Sequence, residues 1–195
     1  MIIKESKGVA ALEEDLKLVQ EVLKGNIDSF NILVNKYEFT VLRFIYNNIR
    51  DREASEDIAQ EVFITVYNKL YTFKKEYKFS NWLFQIARNK CIDYIRKYKR
   101  VYEANVEDFY NIVSSEISPE QSAEYKEIKK LVENFISTLN DLDRQIIILR
   151  YLNDNMTFLD IAEILDLNES AVKRRYYKSR EKFKDFRLNK EMGCK

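Results

Sequence analysis

Residues 80–100, SNWLFQIARNKCIDYIRKYKR, constrain the fold most, because at helical spacing they separate into two faces. One face is apolar and consists of Leu83, Phe84, Ala87, Cys91, Tyr94 and Tyr98. The other is a polar stripe of Gln85, Asn89, Asp93, Arg96 and Arg100, onto which Trp82 also falls. The pattern predicts an amphipathic helix with Ser80 as its N-cap and an outward-facing tryptophan. A tryptophan, amides and cations on one side would suit a nucleic-acid strand, but by itself the pattern favours a core helix with a solvated outer face.

Composition limits the chemistry that the chain can perform. Its 195 residues include no His, and Gly8, Gly25 and Gly193 are too far apart to form a phosphate-binding loop. Without histidine the chain cannot build His-based acid–base catalysis or a His metal site, and Cys91 and Cys194 alone cannot hold a structural zinc ion. The composition therefore argues against an enzyme and predicts no metal, cofactor or small-molecule substrate.

The hydrophobic content bears on the size of the core and on localisation. At 46% it suffices for packed cores in one large or two small domains. No apolar run reaches the roughly 18 residues that cross a bilayer. The first residues, MIIKESKGVAALEEDL, lack the apolar stretch of a signal peptide. We expect a cytoplasmic protein.

The net charge of +1 is distributed unevenly along the chain. Residues 72–100 carry +7, residues 101–128 carry −6 and residues 170–195 carry +7. Two separate basic blocks are typical of a chain that contacts a polyanion at two places. The segment 71–79, YTFKKEYKF, interleaves aromatics that could stack on unpaired bases with lysines that could follow phosphates. The alternative for this segment is a connector whose aromatics fill the core.

Three helices are predicted before residues 80–100, at about 12–24, 29–48 and 52–70. The outer side of the third is acidic at one end and carries an exposed-looking Ile64; it consists of Glu53, Asp57, Gln60, Glu61, Ile64 and Asn68. This side suits a protein partner with basic groups, but by itself the pattern favours an ordinary amphipathic helix with a polar exterior.

Helical periodicity fails in the acidic segment 101–122, which contains the chain's single proline, Pro119. The sequence therefore predicts an all-α protein with two helical domains, 8–100 and 123–190, joined by an acidic flexible linker at 101–122.

The C-terminal domain has the layout of a helix-turn-helix. Thr157 and Asp160 resemble a capping box, residues 166–168 form a short break, and a basic helix is expected at about 169–188. The side chains predicted to face outward near the start of that helix, where base edges are read, are Lys173, Arg174, Tyr177 and Lys178. Arg175, Arg180 and Lys182 are better placed for phosphates or for intramolecular pairs.

Three motifs in this order resemble bacterial sigma factors of the extracytoplasmic-function (ECF) type. The motif SEDIAQEVFITVYNKL (55–70) is similar to the family's core-binding helix, and residues 79–100 are similar to its promoter-melting and −10 segment. Residues 139–183 resemble its −35 reader. The resemblance implies a sigma factor that binds core RNA polymerase and promoter DNA and directs initiation, with an anti-sigma factor as a further candidate partner.

The resemblance also implies roles for individual residues. Those matched to polymerase docking on the clamp helices are Asp57, Gln60, Glu61 and Ile64. Those matched to −10 DNA are Lys75, Lys78, Trp82, Asn89, Arg96 and Arg100, with Asp93 expected to be structural. Those matched to −35 DNA are Lys173, Arg174, Tyr177 and Lys178. Ser170, Ala171 and Arg174 depart from the family's usual small residues, so the promoter preference does not transfer.

Two other classes remain open on the residues alone. One is a two-domain helix-turn-helix regulator that binds duplex DNA without docking on polymerase and uses its N-terminal half as an effector or dimer module. It predicts specific DNA binding by the isolated chain. The other is a helical interaction protein whose basic blocks bind no DNA, and it predicts no retention on DNA even at low salt.

Overall fold

The computed structural model of the protein describes residues 2–98, 123–152 and 156–192. Every regular element in these ranges is helical, which confirms the predicted all-α class. The N-terminal part contains α1 (Ile2–Leu23), α2 (Ile27–Ile49), α3 (Arg52–Lys69), a 3₁₀ helix (Leu70–Thr72) and α4 (Phe79–Tyr98). The C-terminal part contains α5 (Ala123–Thr138), α6 (Asp141–Leu152), α7 (Phe158–Leu165) and α8 (Glu169–Met192). The predicted linker and Arg100 lie outside the described residues, so the domain bounds stay a prediction.

Local signals set the helix ends in the N-terminal part. Gly25, with a φ of 97°, follows the end of α1, as its position in the sequence predicts. Asn26 and Asp51 cap α2 and α3 by accepting hydrogen bonds from backbone amides three residues later. Arg50 adopts a left-handed conformation (φ 63°) and ends α2.

Helix α2 is the centre of this part and packs against α1, α3 and α4. Phe44 of α2 and Phe84 of α4 meet edge to face, with 5.5 Å between ring centroids, and both are fully buried. Leu83, Ala87 and Cys91 are buried on the same side of α4, as predicted.

Two predictions for α4 are wrong in detail. The helix begins at Phe79 and not after a Ser80 cap, because the Phe79 ring is drawn into the core between Tyr37 and Phe73. Tyr98, predicted to be apolar core, is exposed: its ring stacks on that of Tyr94, 4.6 Å between centroids, instead of entering the core.

The C-terminal part confirms the helix-turn-helix layout. Thr157 Oγ1 accepts a hydrogen bond from the Asp160 amide (3.1 Å), and the Asp160 carboxylate accepts one from the Thr157 amide (2.8 Å), which completes the predicted capping box. Asp166 ends α7 in a left-handed conformation (φ 55°). Ala162 is buried where α7 meets its neighbours, and Phe135 of α5 packs edge to face on Phe183 of α8, 5.0 Å between centroids.

The two parts of the chain pack against each other. Helix α2 contacts α6, helix α4 contacts α7, and the buried apolar side chains of both parts form one continuous cluster. Arg50, at the end of α2, lies in this interface near Arg144 of α6. Burial, and to a smaller extent the positive charge of Arg144, lowers the pKa of Arg50 to about 10. Among the helices described, none combines the length and apolar character needed to cross a membrane.

The Phe44–Phe84 contact predicts a large stability loss on truncation. Phe84→Ala should lower the free energy of unfolding by about 3–5 kcal/mol, because it removes a buried ring and leaves a cavity. Urea unfolding followed by the fluorescence of Trp82, the single tryptophan of the chain, measures this loss. Tyr71→Ala, at a ring that is 78% exposed, is the control and should change the value by less than about 0.5 kcal/mol. Similar losses for both variants would contradict the burial of α4.

Candidate functional site

The outer surface of α3 presents the residues that the sequence analysis assigned to a protein partner. Asp57, Gln60, Glu61 and Ile64 are all exposed, and Ile64 keeps 60% of its surface accessible. The Glu61 carboxylate pairs with the Lys90 ammonium of α4 at 2.8 Å, in an exposed contact that contributes little to stability.

The loop between α3 and α4 forms one side of a cavity of about 420 Å³. Its lining consists of Thr72, Phe73, Lys74, Tyr77, Asn81, Trp82 and Gln85, together with Glu163 from α7. Aromatic rings, amide groups and a lysine around one concave space are the groups that stack on and hydrogen-bond to an unpaired base.

The helical wheel predicts an outward-facing Trp82, but the structure shows this side chain half-buried. Its ring packs against those of Phe73 (5.5 Å between centroids) and Phe79 (6.1 Å) while it lines the cavity. The aromatic partner Phe73 comes from the preceding loop, and a wheel of α4 alone cannot include it. Phe73 and Phe79 are buried. Part of the segment 71–79 therefore fills the core, as expected of a connector.

The other residues matched to −10 DNA lie in different environments. Lys75, Asn89 and Arg96 are exposed. Asp93 lies 3.9 Å from Arg96, one helical turn away, in an exposed contact that contributes little to stability, so the structural role expected for this acid stays a prediction. Lys78 is only partly exposed, because its ammonium pairs with the Asp160 carboxylate of α7 at 2.8 Å.

A set of polar contacts joins α4 to the C-terminal part. Asn81 Nδ2 donates to Asp160 Oδ1 (3.0 Å) and to Glu163 Oε2 (2.7 Å), and Gln85 Nε2 donates to the Glu163 carbonyl (2.9 Å). Arg88 Nε donates to Gln145 Oε1 at 3.3 Å. Gln145 lies in α6, whereas the other contacts are made to α7. We call the contacts of Asn81 and Gln85 with α7, together with the Lys78–Asp160 ion pair, the α4–α7 interface.

The carboxylate of Asp160 accepts hydrogen bonds from three residues in and beside this interface. Burial alone would raise its pKa, but hydrogen bonds from Lys78, Asn81 and Thr157 outweigh burial and hold the pKa below its ordinary value. Asp160 therefore stays ionised at neutral pH. Sequence reasoning missed Asn81 and Arg88, whose partners are at least 57 positions away along the chain.

The four side chains predicted to face outward on α8 do so. Lys173, Arg174, Tyr177 and Lys178 are exposed, and Lys173 pairs with Glu169 one turn earlier at 2.8 Å. Val172 and Tyr176 are buried on the opposite side. The N-terminal half of α8 therefore presents cations and an aromatic ring on one open surface, as a helix that enters the major groove does.

A second concave surface, of about 350 Å³, lies beside that helix. It is lined by Asn140, Asp143, Arg174, Arg175, Lys178 and Lys182. Arg175 pairs with the buried Asp143 at 2.9 Å, which is the intramolecular pairing considered for it. Arg174, Lys178 and Lys182 leave the surface cationic, and such a surface suits a phosphate backbone. Within the described ranges, no group of His, Cys, Asp and Glu side chains is arranged to hold a metal ion.

Comparison with known families matches both parts of the chain. The Sigma-70 region 2 profile matches residues 33–101, which include α3, the aromatic loop and α4. The Sigma-70 region 4 profile matches residues 129–183, which include the helix-turn-helix. Two sigma-70 regions joined in this order define the protein as a sigma factor.

Similarity to a curated relative shows to which group of sigma factors the chain belongs. The ECF RNA polymerase sigma factor SigW of Bacillus subtilis is 33% identical over 173 residues, which are 85% of this chain and 92% of the relative. The chain therefore belongs to the ECF sigma factors of the sigma-70 family.

Two solved structures have the same fold at low identity. CnrH, in complex with the cytosolic domain of CnrY, is 21% identical with a TM-score of 0.65, over 88% of this chain and 96% of that one. The sigma factor RpoE in complex with the anti-sigma factor NepR from Bartonella quintana is 19% identical with a TM-score of 0.60, over 79% and 95% of the two chains.

Proposed function

We propose that this sigma factor docks on core RNA polymerase through α3, reads −35 duplex through α8 and captures an unpaired −10 base at the cavity beside Trp82. The observation that carries the proposal is the division of the exposed chemistry over three surfaces of one chain. An acidic and apolar face lies on α3, an aromatic cavity lies at α4, and a cationic helix face lies on α8.

Docking through α3 is supported by charge and by exposed apolar area together. Asp57 and Glu61 can pair with basic groups of a partner, while Ile64 supplies the apolar contact that a solvated helix face does not need. Promoter phosphates would be repelled by this face. A basic protein surface, such as the clamp helices of the polymerase, therefore suits it better than DNA does.

Base capture at α4 needs no bond-making chemistry. Extruding a base from the duplex costs a few kcal/mol, and stacking against an aromatic ring with amide hydrogen bonds can offset a large part of that cost. Trp82 lines the cavity, Asn89 lies two turns further along α4, and Lys75 is free to approach the phosphates. Arg96 and Arg100 are assigned to the duplex edge just upstream.

Reading of the −35 duplex is assigned to Lys173, Arg174, Tyr177 and Lys178. A good bidentate contact to a base edge discriminates by roughly 1–3 kcal/mol, and arginine is the side chain best shaped for it. Arg174 is therefore the residue expected to set the preference at one position. Partners of this function are core RNA polymerase and promoter DNA, and an anti-sigma factor is the proposed regulator.

A regulator that binds duplex DNA without docking on polymerase is not favoured. Such a regulator would use the N-terminal half as an effector or dimer module, whereas residues 33–101 of that half match Sigma-70 region 2.

Charge reversal on α3 tests the docking assignment. Asp57→Arg combined with Glu61→Arg should abolish copurification of the chain with core polymerase, because it places cations against a basic partner surface. The matched control is Glu38→Arg, a charge reversal at an exposed acid of α2. Full copurification of the double variant would overturn the assignment to α3.

Truncation of Asn89 separates strand capture from duplex binding. Asn89→Ala should leave binding to −35 duplex unchanged and reduce the permanganate reactivity of thymines in the −10 region of the polymerase complex at least about tenfold. This corresponds to the loss of roughly 1.4 kcal/mol of strand binding. Lys69→Ala, at an exposed lysine of α3, is the control. Unchanged thymine reactivity in the Asn89 variant would remove α4 from the opening step.

A further inference from the structure

A third cavity, of about 450 Å³, is lined by residues of α2, α5, α6 and α8. It shares no lining residue with the cavity beside Trp82 or with the cationic surface beside α8. Most of its lining side chains are apolar or aromatic, among them Phe135, Ile147, Ile148 and Phe183. A cavity of this size and lining is typical of small-molecule sites, which measure roughly 300–1,000 Å³ and bury most of an apolar ligand.

Two guanidinium groups line this cavity, and no carboxylate does. Arg43 comes from α2 and Arg180 from α8, and no ion pair within the described ranges involves either of them. Each guanidinium has an aromatic neighbour, Arg43 over Phe39 at 5.8 Å and Arg180 over Tyr176 at 5.9 Å from the ring centroid. Because arginine stays charged at neutral pH, the cavity carries a positive charge that its own walls do not neutralise.

The Arg43 side chain also lacks a hydrogen-bond acceptor. Its Nε is buried, and none of the described residues accepts a hydrogen bond from it. A buried donor without an acceptor lowers the stability of the folded chain, and a ligand oxygen beside the guanidinium would remove this cost. A carboxylate suits the position best, because its two oxygens match the planar guanidinium fork.

Arg180 does not lie with the side chains assigned to −35 DNA. Successive helical residues differ by about 100°, so Lys178 and Arg180 point about 200° apart around the axis of α8. Lys178 lines the cationic surface together with Arg174, whereas Arg180 lines the apolar cavity together with Phe183. The proposed DNA contacts therefore leave the charge of Arg180 unexplained.

We infer that this cavity binds a small amphipathic carboxylate, whose charged group pairs with Arg43 and Arg180 while its hydrocarbon chain lies against the apolar walls. A medium-chain fatty acid has this chemistry. A partner helix fits less well, because one helical turn about 10 Å across and 5.4 Å long already occupies about 420 Å³. Size and charge thus favour a free carboxylate over a protein segment. The inference does not depend on the proposed function.

Calorimetric titration of the full chain with dodecanoate, below the concentration at which it forms micelles, tests the site. Saturable binding of one molecule per chain is expected. Each methylene removed from the carboxylate should weaken binding about fourfold, because one methylene fewer is buried. Dodecyltrimethylammonium, which has the same chain length and the opposite charge, is the matched ligand control and should bind at least about tenfold more weakly.

Substitutions locate the ligand in the cavity. Arg43→Gln and Arg180→Gln should each weaken dodecanoate binding at least about tenfold, because each removes a charged hydrogen-bond donor. Val132→Trp, at a partly exposed position of the cavity wall, should prevent binding by filling the space. Arg52→Gln, at an exposed arginine of α3 outside the cavity, is the control and should match wild type.

A carbon-13 label at the carboxyl of dodecanoate gives a second measurement that needs no variant. The chemical shift followed against pH reports the pKa of the bound carboxyl. This pKa should lie below that of free dodecanoate, because nearby guanidinium groups favour the charged form. A bound carboxyl whose pKa is unchanged or raised would contradict the pairing with arginine.

Two further results would overturn the inference. The first is no saturable binding of dodecanoate, which would leave a protein segment as the remaining candidate occupant. The second is binding of equal strength in wild type, Arg43→Gln, Arg180→Gln and Val132→Trp, which would place the ligand elsewhere on the chain. Transcription by core polymerase with the wild-type chain is measured without the ligand, so the proposed function stands or fails separately.

Discussion

The burial of one side of α4 fixes the geometry on which the rest of the structure depends. One side of α4 is buried against α2 and its neighbours, through Phe79, Leu83, Phe84 and Ala87. Close packing of these side chains fixes the rotation of α4 about its own axis. The polar stripe is thereby aimed away from that core and across the face where Trp82 lines a cavity. A helix held less firmly would present the same residues without a defined cavity beside them.

Asp160 connects this geometry to the second domain. Its carboxylate completes the capping box of α7, pairs with Lys78 and accepts a hydrogen bond from Asn81. One acid therefore sets the start of the helix-turn-helix and holds it against α4.

Sequence patterns predicted the features that arise within one helix or one turn. The Thr157–Asp160 capping box, the break at Asp166 and the outward side of α8 depend on neighbours within four residues, and all are present. The burial of Trp82 and the pairing of Lys78 were not predictable in this way. Trp82 packs on Phe73 from a loop outside the helix, and Asp160 lies 82 residues beyond Lys78. A polar stripe reads the same on a helical wheel whether water, DNA or another domain lies opposite.

As a sigma factor, the chain gives core RNA polymerase a promoter selectivity that neither component has alone. The most direct test sequences the 5′ ends of transcripts made on a genomic template library by core polymerase with and without the chain. We expect start sites that appear only in the combined reaction and share elements at −35 and −10. Start sites identical with and without the chain, at concentrations where the chain occupies DNA by itself, would rule out this role.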